Sequence, residues 1–139
     1  MLPEFENQPP GIEMVEFPGE VMVKVDSEQI KTVFENVINN AIKYSRPDSD
    51  PIRIFYKSDE SYAVIRIADK GVGIPQEELS QIFEPFYRVD KSRAKDTGGY
   101  GLGLSLCKTI MEAHDGIIVI QSRPEEGTTV SLSFPLTKT

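Results

Sequence analysis

The stretch that decides the fold runs Asp26-Ser27-Glu28-Gln29-Ile30-Lys31-Thr32-Val33-Phe34-Glu35-Asn36-Val37-Ile38-Asn39-Asn40-Ala41-Ile42-Lys43-Tyr44-Ser45. Asp26 is a good N-cap, and Gln29 three residues later completes a capping-box-like pattern. Apolar residues then fall at Ile30, Val33, Phe34, Val37, Ile38, Ala41 and Ile42. Steps of three and four put them on one buried helix face. The helix is predicted to end near Ser45, before Arg46-Pro47. Its polar side is unusual. Asn36, Asn40 and Lys43 share a stripe beside the apolar face, with Tyr44 next to it. Asparagine is a poor helix former, so two of them one turn apart suggest a task. An amide oxygen is a hard neutral ligand suited to Mg²⁺, and a lysine one turn on meets phosphate as a point charge. For any one of these residues alone, a solvated polar face is the better reading.

Working outward, Ile12 to Phe17 and Val21 to Val25 flank Pro18-Gly19 and read as a hairpin or two short strands. Leu2 to Gly11 carries Pro3, Pro9 and Pro10 and reads as a linker. After the first helix, Ile52 to Lys57 and Tyr62 to Asp69 read as strands, the second rich in β-branched residues. Pro75 to Ile82 reads as a short helix opened by proline. Asp90 to Gly99 is a polar, charged loop, and Gly101 to Ala113 has helical spacing ended by Asp115-Gly116. Ile117 to Gln121 and Thr128 to Phe134 are the last strands. This order predicts an α+β sandwich, a sheet covered by helices on one face. The boundaries expected are an N-terminal linker and edge segment over 1–20 and one domain over 21–139.

The chain has 139 residues, 39% hydrophobic and 27% charged, which suits one globular core. Its net charge of -7 argues against nucleic acid as a partner, which needs a basic face. The single cysteine, Cys107, can form no internal disulfide and falls in a predicted helix, where packing is the expected role. No apolar run is long enough to span a bilayer and no signal-peptide pattern opens the chain. The chain therefore reads as cytoplasmic, without direct membrane contact.

Three further clusters carry chemistry. Asp69-Lys70-Gly71-Val72-Gly73-Ile74 ends a strand in a tight turn, where a carboxylate could accept from an exocyclic amine such as that of adenine. Taken alone, that cluster reads better as a plain turn. Gly98-Gly99-Tyr100-Gly101-Leu102-Gly103-Leu104 leads into a helix whose N-terminus offers N–H groups to phosphate. It lacks the Gly-Lys-Ser/Thr of a Walker loop and the spacing of a Rossmann fingerprint. Phe83-Glu84-Pro85-Phe86-Tyr87-Arg88 reads as an aromatic anchor with Arg88 at the base of a lid.

Together the four clusters resemble the ATP-binding domain of sensor histidine kinases, within the superfamily of DNA gyrase, heat-shock chaperone and mismatch-repair ATPases. Asn36 to Tyr44 resembles the N box, Asp69 to Gly73 the first glycine box, Phe83 to Phe86 the F box, and Gly99 to Leu104 the second glycine box. Gly127-Thr128-Thr129 resembles a short motif near the family's C-terminus. The resemblance runs from about Val21 to Pro135. It implies a Bergerat-type fold, a mixed sheet of about five strands covered on one face by three helices. It also implies ATP and Mg²⁺ as cofactors. Asn36 and Asn40 would hold the metal, and Lys43 and Tyr44 would contact the nucleotide. Asp69 would read the adenine amine, in a pocket shaped by Gly71, Gly73 and Ile74. Gly99, Tyr100, Gly101, Leu102, Gly103 and Leu104 would wrap the phosphates, with Thr129 also contributing. Arg88, with Asn36, Asn40 and Lys43, would serve phosphoryl transfer.

The implied function is a protein-histidine kinase fragment that transfers the γ-phosphoryl group to a histidine on a separate dimerisation domain. A response regulator would act downstream, and the isolated domain would be monomeric. In a longer protein it would lie at the cytoplasmic side of the cell membrane. The alternatives are an anti-sigma-type serine kinase, against which the F box argues, and a nucleotide-binding interaction module. Two positions depart from the family pattern. Lys70 stands where asparagine is usual, and His114-Asp115-Gly116 replaces His-Gly-Gly. The only histidine, His114, falls at a structural family position and is not expected to accept phosphate.

Overall fold

The computed structural model describes residues 11–16, 25–45, 48, 50–74, 76–79, 81–83 and 103–136. Its elements are β1 (Ile12–Glu16), α1 (Ser27–Tyr44), β2 (Ile52–Ser58), β3 (Tyr62–Asp69), α2 (Gln76–Leu79), α3 (Gly103–Ala113), β4 (Ile117–Arg123) and β5 (Gly127–Pro135).

Asp26 caps α1 as its sequence requires. Its Oδ1 accepts from the N–H groups of Glu28 at 3.0 Å and Gln29 at 3.1 Å, a contribution of about 1 kcal/mol. The helix stops at Ser45, whose Oγ donates to the Ala41 carbonyl at 2.6 Å. Between these caps Ile30, Val33, Val37, Ile38 and Ala41 are buried, and Phe34 and Ile42 lie against the same core.

The sheet order is β1-β2-β3-β5-β4. β2, β3, β5 and β4 pair antiparallel, while β1 pairs parallel with β2, with Ile12 opposite Ile52. Residues 12–17 were expected in a hairpin or as one of two short strands; residues 12–16 do form a strand, and its partner is β2. A parallel pair needs a crossover, and α1 supplies it. Alternation predicts a strand without naming its partner. Of the other expected hairpin arm, residues 21–24 lie outside the described residues, and Val25 packs at the rim of the core.

Period-two alternation divides the sheet. One face carries Ile52, Ile54, Ile67, Val130, Leu132 and Phe134, all buried beneath α1 and α3. From α3, Cys107 and Met111 are fully buried in that core. Burying each such aliphatic side chain stabilises by about 1.5–3 kcal/mol. Phe34 of α1 meets Phe134 of β5 with ring centroids 6.5 Å apart. The opposite face presents Arg53, Lys57 and Arg66 to solvent, together with Ile117 and Val119. The expected α+β architecture is thus observed, with helices packed on one sheet face.

Asp115 adopts φ +57°, and the Gly116 N–H donates to the Met111 carbonyl at 2.8 Å, which ends α3. His114 joins the two long helices. Its Nδ1 lies 2.8 Å from the Ile110 carbonyl, and its Nε2 accepts from the Asp26 N–H at 3.0 Å. That pair of partners requires the neutral ring with the proton on Nδ1. No helix among the described residues is long and apolar enough to cross a membrane.

Candidate nucleotide site

β3 ends at Asp69 beside the β4–β5 hairpin, and the chain turns sharply there. Asp69 is 6% exposed. Its Oδ1 accepts from the Gly71 N–H at 2.9 Å and the Thr128 N–H at 3.3 Å. Among the described residues no hydrogen bond falls on Oδ2. Burial pushes the Asp69 carboxyl above the ordinary carboxylate range, and the two N–H donors only partly oppose it. Asp69 lines a cleft of about 610 Å³ with Lys70, Gln76, Leu79, Gln121, Ser122, Gly127 and Thr128. That volume is typical of small-molecule sites.

Two glycines let the turn and the hairpin interlock. Gly73 has φ +76°, and a Cβ there would collide with the Arg123 carbonyl oxygen. Gly127 has φ +102°, and a Cβ there would collide with the Asp69 carbonyl oxygen. The Glu125 N–H donates to the Val72 carbonyl at 2.7 Å. Ile74 is buried, and its N–H donates to Ser122 Oγ at 2.7 Å.

On α1, the Asn36 amide donates through Nδ2 to the Thr32 carbonyl at 2.9 Å. This leaves Oδ1 turned toward the start of α3. A Cβ added at Gly103 would stand 3.1 Å from that oxygen, so the first residue of α3 and the asparagine stripe meet. Asn40 and Lys43 are half-buried on the same helix. Gly103 and Leu104 open α3 and are half-buried. The Asn36 oxygen suits a hard divalent cation that keeps waters and takes its other ligands from phosphate. No cluster of three or more His, Cys, Asp or Glu residues exists among the described residues to hold a metal by itself.

The structure thus joins Asp69, Gly71, Gly73 and Ile74 in one place and Asn36 and Gly103 in another. Arg88, Gly99, Tyr100, Gly101 and Leu102 lie outside the described residues, as does the side chain of Tyr44. Thr129 also lines the cleft and pairs with Ala68, while Thr128 pairs with Asp69 and is buried. The residue adjoining the carboxylate is Thr128. Ser122 and Gln76 were missed as well. Gln76 Nε2 donates to the Ser122 carbonyl at 2.5 Å. Strand parity could have found Ser122 and Thr128. Both continue the inward rows Ile118-Ile120 and Val130-Leu132 with a hydroxyl in place of a hydrocarbon.

Two other groups have no part in this site. Glu35 lies 3.8 Å from Lys31 in an exposed i,i+4 pair. The buried Cys107 thiol is pushed up to about 12 by desolvation and is inert. Phe83, the first aromatic of the F box, lies 5.4 Å from Lys108 Nζ, which places its ring beside α3.

Known proteins match this arrangement. The chain is 42% identical over 123 residues to sensor protein kinase WalK of Staphylococcus haemolyticus, covering 86% of this chain and 20% of that protein. It is also 42% identical over 117 residues to WalK of Staphylococcus aureus, covering 83% of this chain and 28% of that one. The chain therefore spans only a fraction of the length of these curated relatives. The mycobacterial sensor histidine kinase MprB superimposes with TM-score 0.77 at 28% identity, covering 92% of this chain and 84% of that structure. A nucleotide-free catalytic domain of histidine kinase ThkA does so with TM-score 0.74 at 28% identity, covering 91% and 79%. A family model described as histidine kinase-, DNA gyrase B-, and HSP90-like ATPase matches residues 25–138, and with a buried aspartate set against glycine turns at a nucleotide-sized cleft, the chain belongs to that ATPase family, as the ATP-binding catalytic domain of its histidine kinase branch.

Proposed function

We propose that this domain binds Mg-ATP and transfers the γ-phosphoryl group to a histidine on a separate dimerisation domain. The observation that carries the reading is Asp69. A carboxylate is held in a cleft with both backbone donors on one oxygen, which leaves the other for the adenine amine. Gly71, Gly73 and Ile74 shape that pocket. Asn36 and Asn40 supply amide oxygens to Mg²⁺, which offsets charge on the phosphates when bound. Lys43, Tyr44 and Arg88 meet the nucleotide, and Gly99, Tyr100, Gly101, Leu102, Gly103 and Leu104 wrap its phosphates. Thr129 lines the same pocket, and Thr128 assists Asp69 through its backbone N–H. The family's full layout, a mixed sheet of about five strands under three helices, belongs to the same reading.

The attacking imidazole comes from elsewhere, because both ring nitrogens of His114 are engaged. The domain works with its dimerisation and phosphoacceptor domain and, downstream, a response regulator, binding neither nucleic acid nor membrane. Alone it is a monomer, and the full-length protein holds it on the cytoplasmic side of the cell membrane. The test is incubation of this chain with Mg-ATP and a supplied dimerisation domain carrying the acceptor histidine. Acid-labile phosphate on that domain is the expected result. Acid-stable phosphate would favour a serine kinase, and no transfer despite ATP binding would reduce the domain to a nucleotide-dependent interaction module.

A further inference from the structure

We propose that Ser122 is a positioning residue for purine discrimination, which locks the Asp69–Ile74 loop to the β4–β5 hairpin and so aims the Asp69 carboxylate. The inference rests on the reading of this cleft as an adenine site. On β4 the inward positions run Ile118, Ile120, Ser122, and only the last is polar. Core filling would favour a third aliphatic residue there. Instead a hydroxyl, in a residue 6% exposed, lies where loop and hairpin meet.

A serine hydroxyl has one donor and two acceptor sites, and all three are used. Ser122 Oγ accepts from the Ile74 N–H at 2.7 Å. It donates to the Gly127 carbonyl at 3.0 Å. Its third partner is Thr128 Oγ1 at 2.7 Å. Since the single Ser122 proton goes to Gly127, the proton between the hydroxyls belongs to Thr128. The backbone N–H of Thr128 in turn donates to Asp69 Oδ1. One hydroxyl thereby connects the far end of the glycine loop to the residue that orients the carboxylate. Removing it leaves the buried Ile74 N–H and Thr128 hydroxyl without their partner. The loop then loses its register on the hairpin, and Asp69 loses its aim.

This role predicts a change in selectivity beyond any change in stability. The test is calorimetric binding of non-hydrolysable ATP and inosine triphosphate analogues, with Mg²⁺, to wild type and Ser122→Ala. Inosine carries a carbonyl where adenine carries its amine, so it reports on the pocket without the Asp69 bond. The expected result is about a tenfold weaker affinity for the ATP analogue with inosine affinity kept within about twofold, a tenfold change being one hydrogen bond's worth. Ser122→Cys, which keeps the shape but offers a weak acceptor, gives the same direction if the alanine variant does not fold. In an Asp69→Asn background the serine substitution should leave the adenine-to-inosine ratio unchanged, because coupled residues are not additive. Parallel loss of both ligands would overturn the proposal and leave Ser122 as fold support alone. So would an independent, additive effect in the Asp69→Asn background. A wild type that does not prefer the adenine analogue would instead overturn the adenine-site reading itself, and this proposal with it.

Discussion

Replacing Asp69 with asparagine changes one atom and reverses the hydrogen-bonding sense of the pocket. In the native site Oδ1 accepts from Gly71 and Thr128, at 2.9 and 3.3 Å. An asparagine must keep its carbonyl oxygen there, because turning the amide would set its NH₂ against two backbone N–H groups. Its Nδ2 then takes the place of Oδ2 and donates toward the ligand. Adenine's amine also donates, so an attractive charge-assisted bond becomes a donor–donor clash. The lost bond alone is worth about 1.5–3 kcal/mol, which is roughly ten- to over a hundredfold in Kd. Calorimetry with a non-hydrolysable ATP analogue and Mg²⁺ measures it. The same geometry predicts that Asp69→Asn gains affinity for an inosine analogue, whose carbonyl accepts from the new amide, so the base preference reverses. Stability should hold, because a neutral isostere escapes the desolvation that raises the carboxyl pKa. Thermal unfolding should shift by only about a few degrees. An asparagine variant that folds and binds the adenine analogue within about twofold of wild type would refute the reasoning.

Four further outcomes follow from the same structure. The Asp69 pKa is raised by burial, so the fold loses stability as pH rises from the ordinary carboxylate value through the raised one. Adenine binding runs the other way, weakening as pH falls through the raised value, and Asp69→Asn should abolish that component of a calorimetric pH series. Gly73→Ala forces a side chain into φ +76° and against the Arg123 carbonyl; a loss of about 1–3 kcal/mol or more is expected in denaturant unfolding. His114→Ala removes the acceptor for the Asp26 N–H and should cost about 1–3 kcal/mol, while phosphate incorporation into the isolated chain stays at background with or without the ring. Cys107, fully buried with its thiol pushed up to about 12, should react with a thiol reagent at pH 8 only after denaturant is added, since its thiolate fraction is roughly one in ten thousand.

Local rules carried much of this protein. The Asp26 cap, the three-and-four spacing from Ile30 to Ile42 and the stop at Ser45 each depend on residues within a turn or two, so α1 was legible to the residue. The same holds for β3, whose predicted span of Tyr62 to Asp69 is the observed one. The glycine turn after Asp69 was visible because glycine is the residue that tolerates such backbone. The asparagine stripe was visible because helical period places Asn36 and Asn40 together.

Other features needed the folded chain, because they join residues far apart in sequence. Alternation marked residues 12–16 as a strand, but only the assembled sheet made them the parallel neighbour of β2. Asp69 could be proposed as an adenine reader, yet its pairing with Thr128 rather than Thr129 came from the β3–β5 register. A slip of one residue would exchange the buried Thr128 and the half-buried Thr129. Strand parity places Ser122 on the inward face, but its role exists only because Ile74, Gly127 and Thr128 converge on it. Secondary structure and the kinds of chemistry available are set by short-range periodicity and residue type, which a sequence displays directly. Which hydroxyl meets which loop is set by register and burial across the sheet, and those arise only when tertiary packing selects one pairing.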